Sequence, residues 1–475
     1  MEALLIPLSV AGLAALLLLA DIAPAKGDAR GIGSFAALGL FGTLALTWVV
    51  APGADPSGSY VSDAFTVFVQ RLVLLAGALA CVASIDHADA HFPKRQGEFY
   101  LLLVASVFGM TLIAGARELV LLLVGFETMG IPQYVLAAMH KDKKVGVEGA
   151  TKLYLTGALS AGLTIYGASF LVGAAGTTFL PQIVTTAPSA MLGFGALLVL
   201  AGIAFKLGAV PFHMWIPDTY ASAPAPFVAF LSVAPKVAVL ATVARISWAS
   251  GEGMFSWWTG DLLVLAALTL TVGNLFALPQ RNVRRLLAWS GIGHAGLVLL
   301  ALGLATTDGI GAALFYLTTY VVSNIGAFVV AEAVGGKVGD EVEGWNGLAR
   351  RSPGLALAML LFLLSLGGIP FVAGFWGKVL LFRTAWAAGQ SAMVFYGALL
   401  SVVSLFYYLK IARAMYVEPA KDPTPIAVGR ATILAIVLAL IGVIGLGMFP
   451  APFYDSAEEA GTALLVTGPV ALVTP

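Results

Sequence analysis

Residues 190–222 read AMLGFGALLVLAGIAFKLGAVPFHMWIPDTYAS. The run is apolar from Ala190 to Phe205, carries a lysine at 206, breaks at Gly208-Ala-Val-Pro211 and continues through His213, Trp215, Pro217 and Asp218. About 20 apolar residues suffice to cross a hydrocarbon core, so this stretch is too long for one simple span. Proline removes a backbone donor and breaks a helix. At membrane depth the freed groups are tolerated only where protein or water satisfies them. The stretch therefore predicts a membrane helix broken on purpose, with a cation near the break. Residues 353–388 repeat the arrangement, with Gly367-Gly-Ile-Pro370, then Gly374 and Lys378.

Working outward, apolar blocks fall near 3–20, 33–51, 64–85, 98–115, 118–138, 149–173, 190–222, 226–249, 260–279, 285–305, 309–334, 353–388, 392–416 and 428–449. They predict an all-α polytopic membrane protein of about fourteen transmembrane helices. Composition agrees: only 11% of the 475 residues are charged and mean hydropathy is +0.95, against about 25% charged in soluble domains. Net charge is zero, which leaves no basic footprint for nucleic acid. Cys81 is the only cysteine, which excludes an internal disulfide and a cysteine-ligated cluster within the chain. No glycine-rich dinucleotide motif or P-loop is present, so no cofactor is expected to bind this chain. The N-terminus lacks the positive charge of a signal peptide, and Ala3–Ala20 reads as the first permanent span.

If the loop after the first block is called inside, the inside loops hold sixteen lysines and arginines, including Lys26, Lys141, Lys143 and Lys421. The outside loops hold Arg117 and Arg245. The bias puts the inside loops in the cytoplasm and both termini on the opposite side. Pro211 and Pro370 are 159 residues apart, and the fourth and ninth blocks begin about 162 apart. Five helices are an odd number, so the second unit must be inverted. The chain divides into 1–97 (helices 1–3), 98–250 (first repeat, helices 4–8), 251–418 (inverted repeat, helices 9–13) and 419–475 (helix 14 and tail).

A few ionisable groups fall at depth. Lys236 lies ten residues into the eighth block and Glu127 nine into the fifth. Lys206 precedes one break and Lys378 follows the other. Each buried charge costs at least about 3 kcal/mol. Lysine suits proton transfer because an ammonium, unlike a guanidinium, can give up its proton when desolvated. The competing reading, Glu127 pairing with a lysine only to hold helices together, leaves two lysines unexplained. His294 lies deep in the tenth block and is either a relay or a hydrogen-bonded structural residue. His213 reads as structural. Arg71 reads as half of a structural ion pair, and Asp218 as a helix cap in preference to a proton entrance. His87, His91 and His140 read as solvated; His87 and His91 are four apart but no third metal ligand is in view.

Several motifs together resemble a known family. Phe205-Lys206-Leu-Gly-Ala-Val-Pro211-Phe-His213-Met-Trp215-Ile-Pro217-Asp218 resembles a motif of the proton-pumping membrane subunits of respiratory complex I and of Mrp-type cation/proton antiporters. Residues 223–238, with Pro235-Lys236, resemble the subunit N branch of NADH-quinone oxidoreductase, as does a lysine at 378. Gln280–His294, Ser365–Lys378 and Phe126-Glu127 match further motifs, and the resemblance covers about 98–415. Trp289 and Gly291 depart from the usual Tyr and Ser. The resemblance implies a multi-pass subunit of the bacterial inner membrane, bound to other membrane-arm subunits. NADH, FMN, Fe–S clusters and quinone would belong to partner chains. Carried over, Glu127 would modulate Lys206, Lys236 would be the central transfer site, His294 an intermediate and Lys378 the exit. The alternatives are an Mrp-type antiporter subunit, or the equivalent subunit of a ferredoxin-, F420- or hydrogenase-linked complex.

Overall fold

The computed structural model describes residues 2–22, 30–140, 144–248, 255–420, 422 and 424–466. Lys26, Lys141, Lys143 and Lys421, counted among the inside charges, lie outside the described residues. The chain is helical nearly throughout: α1 (Leu5–Ile22), α2 (Arg30–Leu46), α3 (Ala64–His91), α4 (Gln96–Gly115), α5 (Leu119–Ala137), α6 (Lys144–Ala175), α7 (Leu180–Val184), α8 (Ala190–Leu207), α9 (Trp215–Ser222) and α10 (Ala225–Leu231). There follow α11 (Ala234–Trp248), α12 (Phe255–Ala277), α13 (Val283–Gly303), α14 (Thr307–Val338), α15 (Leu348–Arg351), α16 (Pro353–Gly367), α17 (Ala373–Ala387), α18 (Ser391–Tyr416), α19 (Arg430–Met448) and α20 (Ala451–Val466). One two-residue hairpin, Gly53–Ala54 with Val61–Ser62, closes the loop between α2 and α3.

Among the described residues, twelve helices are long and apolar enough to cross a membrane, with α10 and α11 taken as one; Gly31–Leu46 and Pro353–Gly367 are shorter apolar helices. Burial sorts them into shells. The spanning windows of α10–α11 and α14 are wholly buried and that of α13 nearly so, whereas well under half of those of α1, α6, α12, α18 and α19 is buried. With no water at depth, exposed leucines and phenylalanines of the outer helices are at no disadvantage in lipid. Polar side chains accordingly collect in the inner helices.

Helix ends follow local chemistry. The Asp63, Ser189, Asn282 and Thr306 side chains each accept a bond from a first-turn N–H of α3, α8, α13 and α14. The loops expected outside gather at one end, where Arg117 N donates to Ser59 O and Leu119 N to Thr178 O. The loops expected inside gather at the other, where residues from six of them line one cavity.

Several details correct the sequence reading. Arg245 is a buried residue of α11, not a loop charge; it donates two bonds to Asp63, at 2.7 and 2.8 Å. Burial pushes the Asp63 carboxyl up, but the adjacent guanidinium outweighs this and holds it below the usual carboxylate range. The Arg71 guanidinium bonds Thr47 Oγ1 at 3.0 Å and lies 4.3 Å over the Trp48 ring, and no ion pair within 4.0 Å holds it among the described residues. Asp218 does not cap α9; it bridges Lys152 (2.6 Å) and Arg285 (2.8 Å). The tail after α19 forms the helix α20, packed on α14 and α3. The eighth block is itself broken, at Ser232 and Val233 between α10 and α11.

Candidate functional site

The interior cations are placed by helix interruptions. Pro235 has no N–H to give to Leu231 O, and that carbonyl instead accepts the Tyr220 hydroxyl at 3.4 Å. One residue on, Ser232 O also lacks its usual partner, because Lys236 N bonds Val233 O. The Lys236 side chain turns back and Nζ donates to Ser232 O at 2.8 Å. Lys378 is held in the same way. The α16 helix ends at Gly368 (φ 85°), and Lys378 Nζ donates to the freed Gly367 O at 2.9 Å. Both ammonium groups thus sit on carbonyls at the negative ends of helices, where a cation is favoured. Lys236 is 3% exposed and Lys378 7%.

His294 lies between them. Its ring stands 4.8 Å from that of Tyr320, and Lys236 Nζ is 5.8 Å from the same tyrosine ring. His294 Nδ1 bonds the Tyr316 hydroxyl and Nε2 the Tyr408 hydroxyl at 3.1 Å; Tyr408 in turn bonds Ser290. His294 and Lys378 line one cavity of about 10 Å³ with Asn274, Ser290, Ser404 and Tyr407, which is room for about one water. Lys236, Tyr320, His294 and Lys378 form a buried row from α11 through α14 and α13 to α17.

Glu127 and Lys206 form a second group. They line another cavity of about 10 Å³ with Thr164 and Gly202. Among the described residues no ion pair within 4.0 Å joins them. Lys206 Nζ donates to the Tyr134 hydroxyl at 3.1 Å. Both residues are only half-buried.

The sequence reading missed the tyrosines. Tyr316 and Tyr320 are four apart on α14, hence on one face, and that spacing was a usable signal. Tyr134 and Tyr408 carried none, because their partners are remote in sequence. Asn324, which donates to Ser232 Oγ at 2.6 Å, was likewise invisible. His213 is buried with its ring 5.5 Å from Trp289. His87, expected to be solvated, is buried, with Nδ1 2.6 Å from Glu332. Among the described residues no group of three or more His, Cys, Asp or Glu is arranged to hold a metal.

Broken helices, interior lysines on freed carbonyls and a lipid-facing shell define an antiporter-like membrane protein. The family model described as NADH:quinone oxidoreductase/Mrp antiporter, TM, matches residues 116–404. Relatives named NADH-quinone oxidoreductase subunit N include one from Moorella thermoacetica, 39% identical over 92% of this chain and 94% of its own. Another, from Desulforamulus reducens, is 36% identical over 92% and 93%. A chain of respiratory complex I from Thermus thermophilus superposes with TM-score 0.81 at 33% identity, covering 95% of this chain and 99% of its own. A chain of the Mrp complex from Dietzia shares the fold, with TM-score 0.86 at 20% identity over 98% and 97%. The chain belongs to the subunit N family of NADH-quinone oxidoreductases.

Proposed function

We propose that this chain is a proton-translocating subunit in the membrane arm of a quinone-reducing complex. It couples redox chemistry in partner chains to proton transfer through Glu127, Lys206, Lys236, His294 and Lys378. The observation that carries this is the buried row Lys236–Tyr320–His294–Lys378, in which titratable groups are close-set and each ammonium rests on a helix-end carbonyl. A lysine so placed can release its proton and take it back without moving the backbone, because the carbonyl dipole stays fixed in both states. The Glu127 carboxylate, in the same cavity as Lys206, biases that lysine toward its charged form when ionised. Helices α4–α11 and α12–α18 then act as two inverted units, the first interrupted at 208–211 and 232–233 and the second at 367–370. NADH, FMN, Fe–S clusters and quinone belong to the partners. The lysine- and arginine-rich end faces the cytoplasm of a bacterial inner membrane, with both termini opposite.

The test is Lys236→Ala in the complex reconstituted into vesicles. Pumping falls more than tenfold, which corresponds to about 1.4 kcal/mol or more on the transfer barrier, while the complex still assembles. Unchanged pumping rejects the relay.

A further inference from the structure

A large polar cavity lies outside the row of lysines. It measures about 530 Å³ and sits at the lysine- and arginine-rich end, between the ends of α3, α5 and α14 and the starts of α6, α13 and α19. Its wall holds three imidazoles, two of them one turn apart on α3 and the third from beyond α5. The rings of His87 and His91 stack at 4.2 Å, and that of His140 lies 5.5 and 5.8 Å from the two. His91 is exposed, His140 half-buried and His87 buried, so they step inward from water. At the innermost step His87 Nδ1 meets Glu332 Oε1 at 2.6 Å, and its buried Nε2 has no hydrogen-bond partner among the described residues. A carboxylate can only accept, so Nδ1 carries the hydrogen and Nε2 the lone pair. The pair is a base with its basic nitrogen unpartnered.

Resting on the relay proposed above, the geometry points to this cavity as the proton-uptake vestibule, with His87–Glu332 as its accepting group. A proton from the vestibule adds to Nε2 and the Glu332 carboxylate neutralises the imidazolium; the Nδ1 hydrogen then passes to Glu332 Oε1 and leaves inward, and return of the Nε2 hydrogen to Nδ1 by tautomerisation restores the Nε2 lone pair. Glu332 lies eight residues, about 12 Å of helix, from Asn324 on α14. Asn324 bonds Ser232, whose carbonyl holds Lys236. The other charged groups facing His87 come from each wall. Asp86 of α3 is held by Thr432 of α19 at 2.9 Å. Arg284 of α13 lies 3.8 Å from Asp340. Lys337 of α14 and Asp340 complete the rim.

The complex reconstituted in vesicles, with NADH oxidation and proton pumping followed together, tests this. His87→Ala lowers protons pumped per NADH severalfold at about pH 8, where bulk protons are scarce, and recovers toward the parent at about pH 6. Imidazole buffer restores pumping at the higher pH, because the cavity admits the free ring. Glu332→Gln gives the same pH signature, and the double variant loses no more than either alone. Should His87→Ala fail to assemble, Glu332→Gln carries the test, and an unchanged pH profile overturns the proposal. A loss equal at every pH that imidazole does not relieve marks a structural pin between α3 and α14 and also overturns it. Lys236→Ala in the same assay separates the two readings. If it abolishes pumping while both vestibule variants match the parent, the vestibule fails and the relay stands. If Lys236→Ala pumps normally, the relay fails and the vestibule with it.

Discussion

Lys206 and Lys378 stand beside two helix breaks that are closed alike, yet the chain solvates them differently. Gly208 (φ 78°) and Gly368 (φ 85°) both adopt the left-handed conformation. Ala209 N donates to Ala204 O at 2.8 Å, and Ile369 N to Leu364 O at 3.0 Å, so both ends close with the same bond across the left-handed glycine. Lys206, however, belongs to the helix that arrives at its break. Side chains lean toward the N-terminus of their own helix, so Lys206 points away from the carbonyls its helix frees and finds Tyr134 and the Glu127 cavity. Lys378 belongs to the helix that departs, and the same lean carries it back over the break onto Gly367 O. One backbone device thus yields two chemical sites. At Lys378 the partner is a fixed dipole in an enclosed row. At Lys206 it is a hydroxyl that can donate or accept, beside a carboxylate, on a half-buried face.

The sharpest way to break this comparison is to remove each ammonium while keeping its stem. Lys378→Met interrupts the buried row itself. Pumping in reconstituted vesicles is expected to fall more than tenfold, or at least about 1.4 kcal/mol on the transfer barrier. Lys206→Met leaves Glu127 in its cavity and the Tyr134 hydroxyl beside the lost ammonium, and the loss is expected to be severalfold. Equal losses would show that fixed and adjustable partners make no functional difference.

A smaller effect separates the breaks themselves. At either glycine an added Cβ meets the left-handed penalty of about 1–2 kcal/mol. At Gly368 that Cβ would also stand 2.8 Å from Lys378 Cδ, whereas at Gly208 it would meet Ile216 Cδ1. Both Gly→Ala variants therefore lower the thermal stability of the complex, but only Gly368→Ala dislodges an ammonium and lowers protons pumped per electron. A pumping defect confined to Gly208→Ala would reverse the assignment.

The breaks at 208–211 and 367–370 were legible in the sequence because glycine and proline act through local backbone geometry. The depth of Lys236 and Lys378 was legible because residue counts convert to distance along a helix. What each ammonium touches was not. The break before Lys236 went unread because Pro235, nine residues into its apolar block, has no glycine beside it of the kind that marks the breaks at 208 and 367. Tyr408 reaches His294 from a helix more than a hundred residues away, and no periodicity announces such a contact. His87 looked solvated because it lies at the edge of an inside loop; only the passage of α14 beside α3 buries it and supplies Glu332. Arg245, scored as an outside loop charge, is pulled inside by Asp63, a pairing across 182 residues. Local rules carried the architecture, and long-range partners decided the chemistry.

The smallest effect asks whether a hydroxyl matters more to the half-buried lysine than to the enclosed histidine. Tyr134→Phe removes the side-chain acceptor seen on Lys206 Nζ, a bond worth about 1 kcal/mol, or roughly fivefold in an equilibrium. Tyr408→Phe removes one of two hydroxyls on His294, and Tyr316 remains on the other nitrogen. Pumping should therefore slow by up to about fivefold in Tyr134→Phe and by less in Tyr408→Phe, with quinone reductase assembly equal in both. The ordering follows from how many partners each titrating group keeps, not from depth. A silent Tyr134→Phe beside a costly Tyr408→Phe would mean that Lys206 works with another partner, and that the adjustable site lies at the histidine.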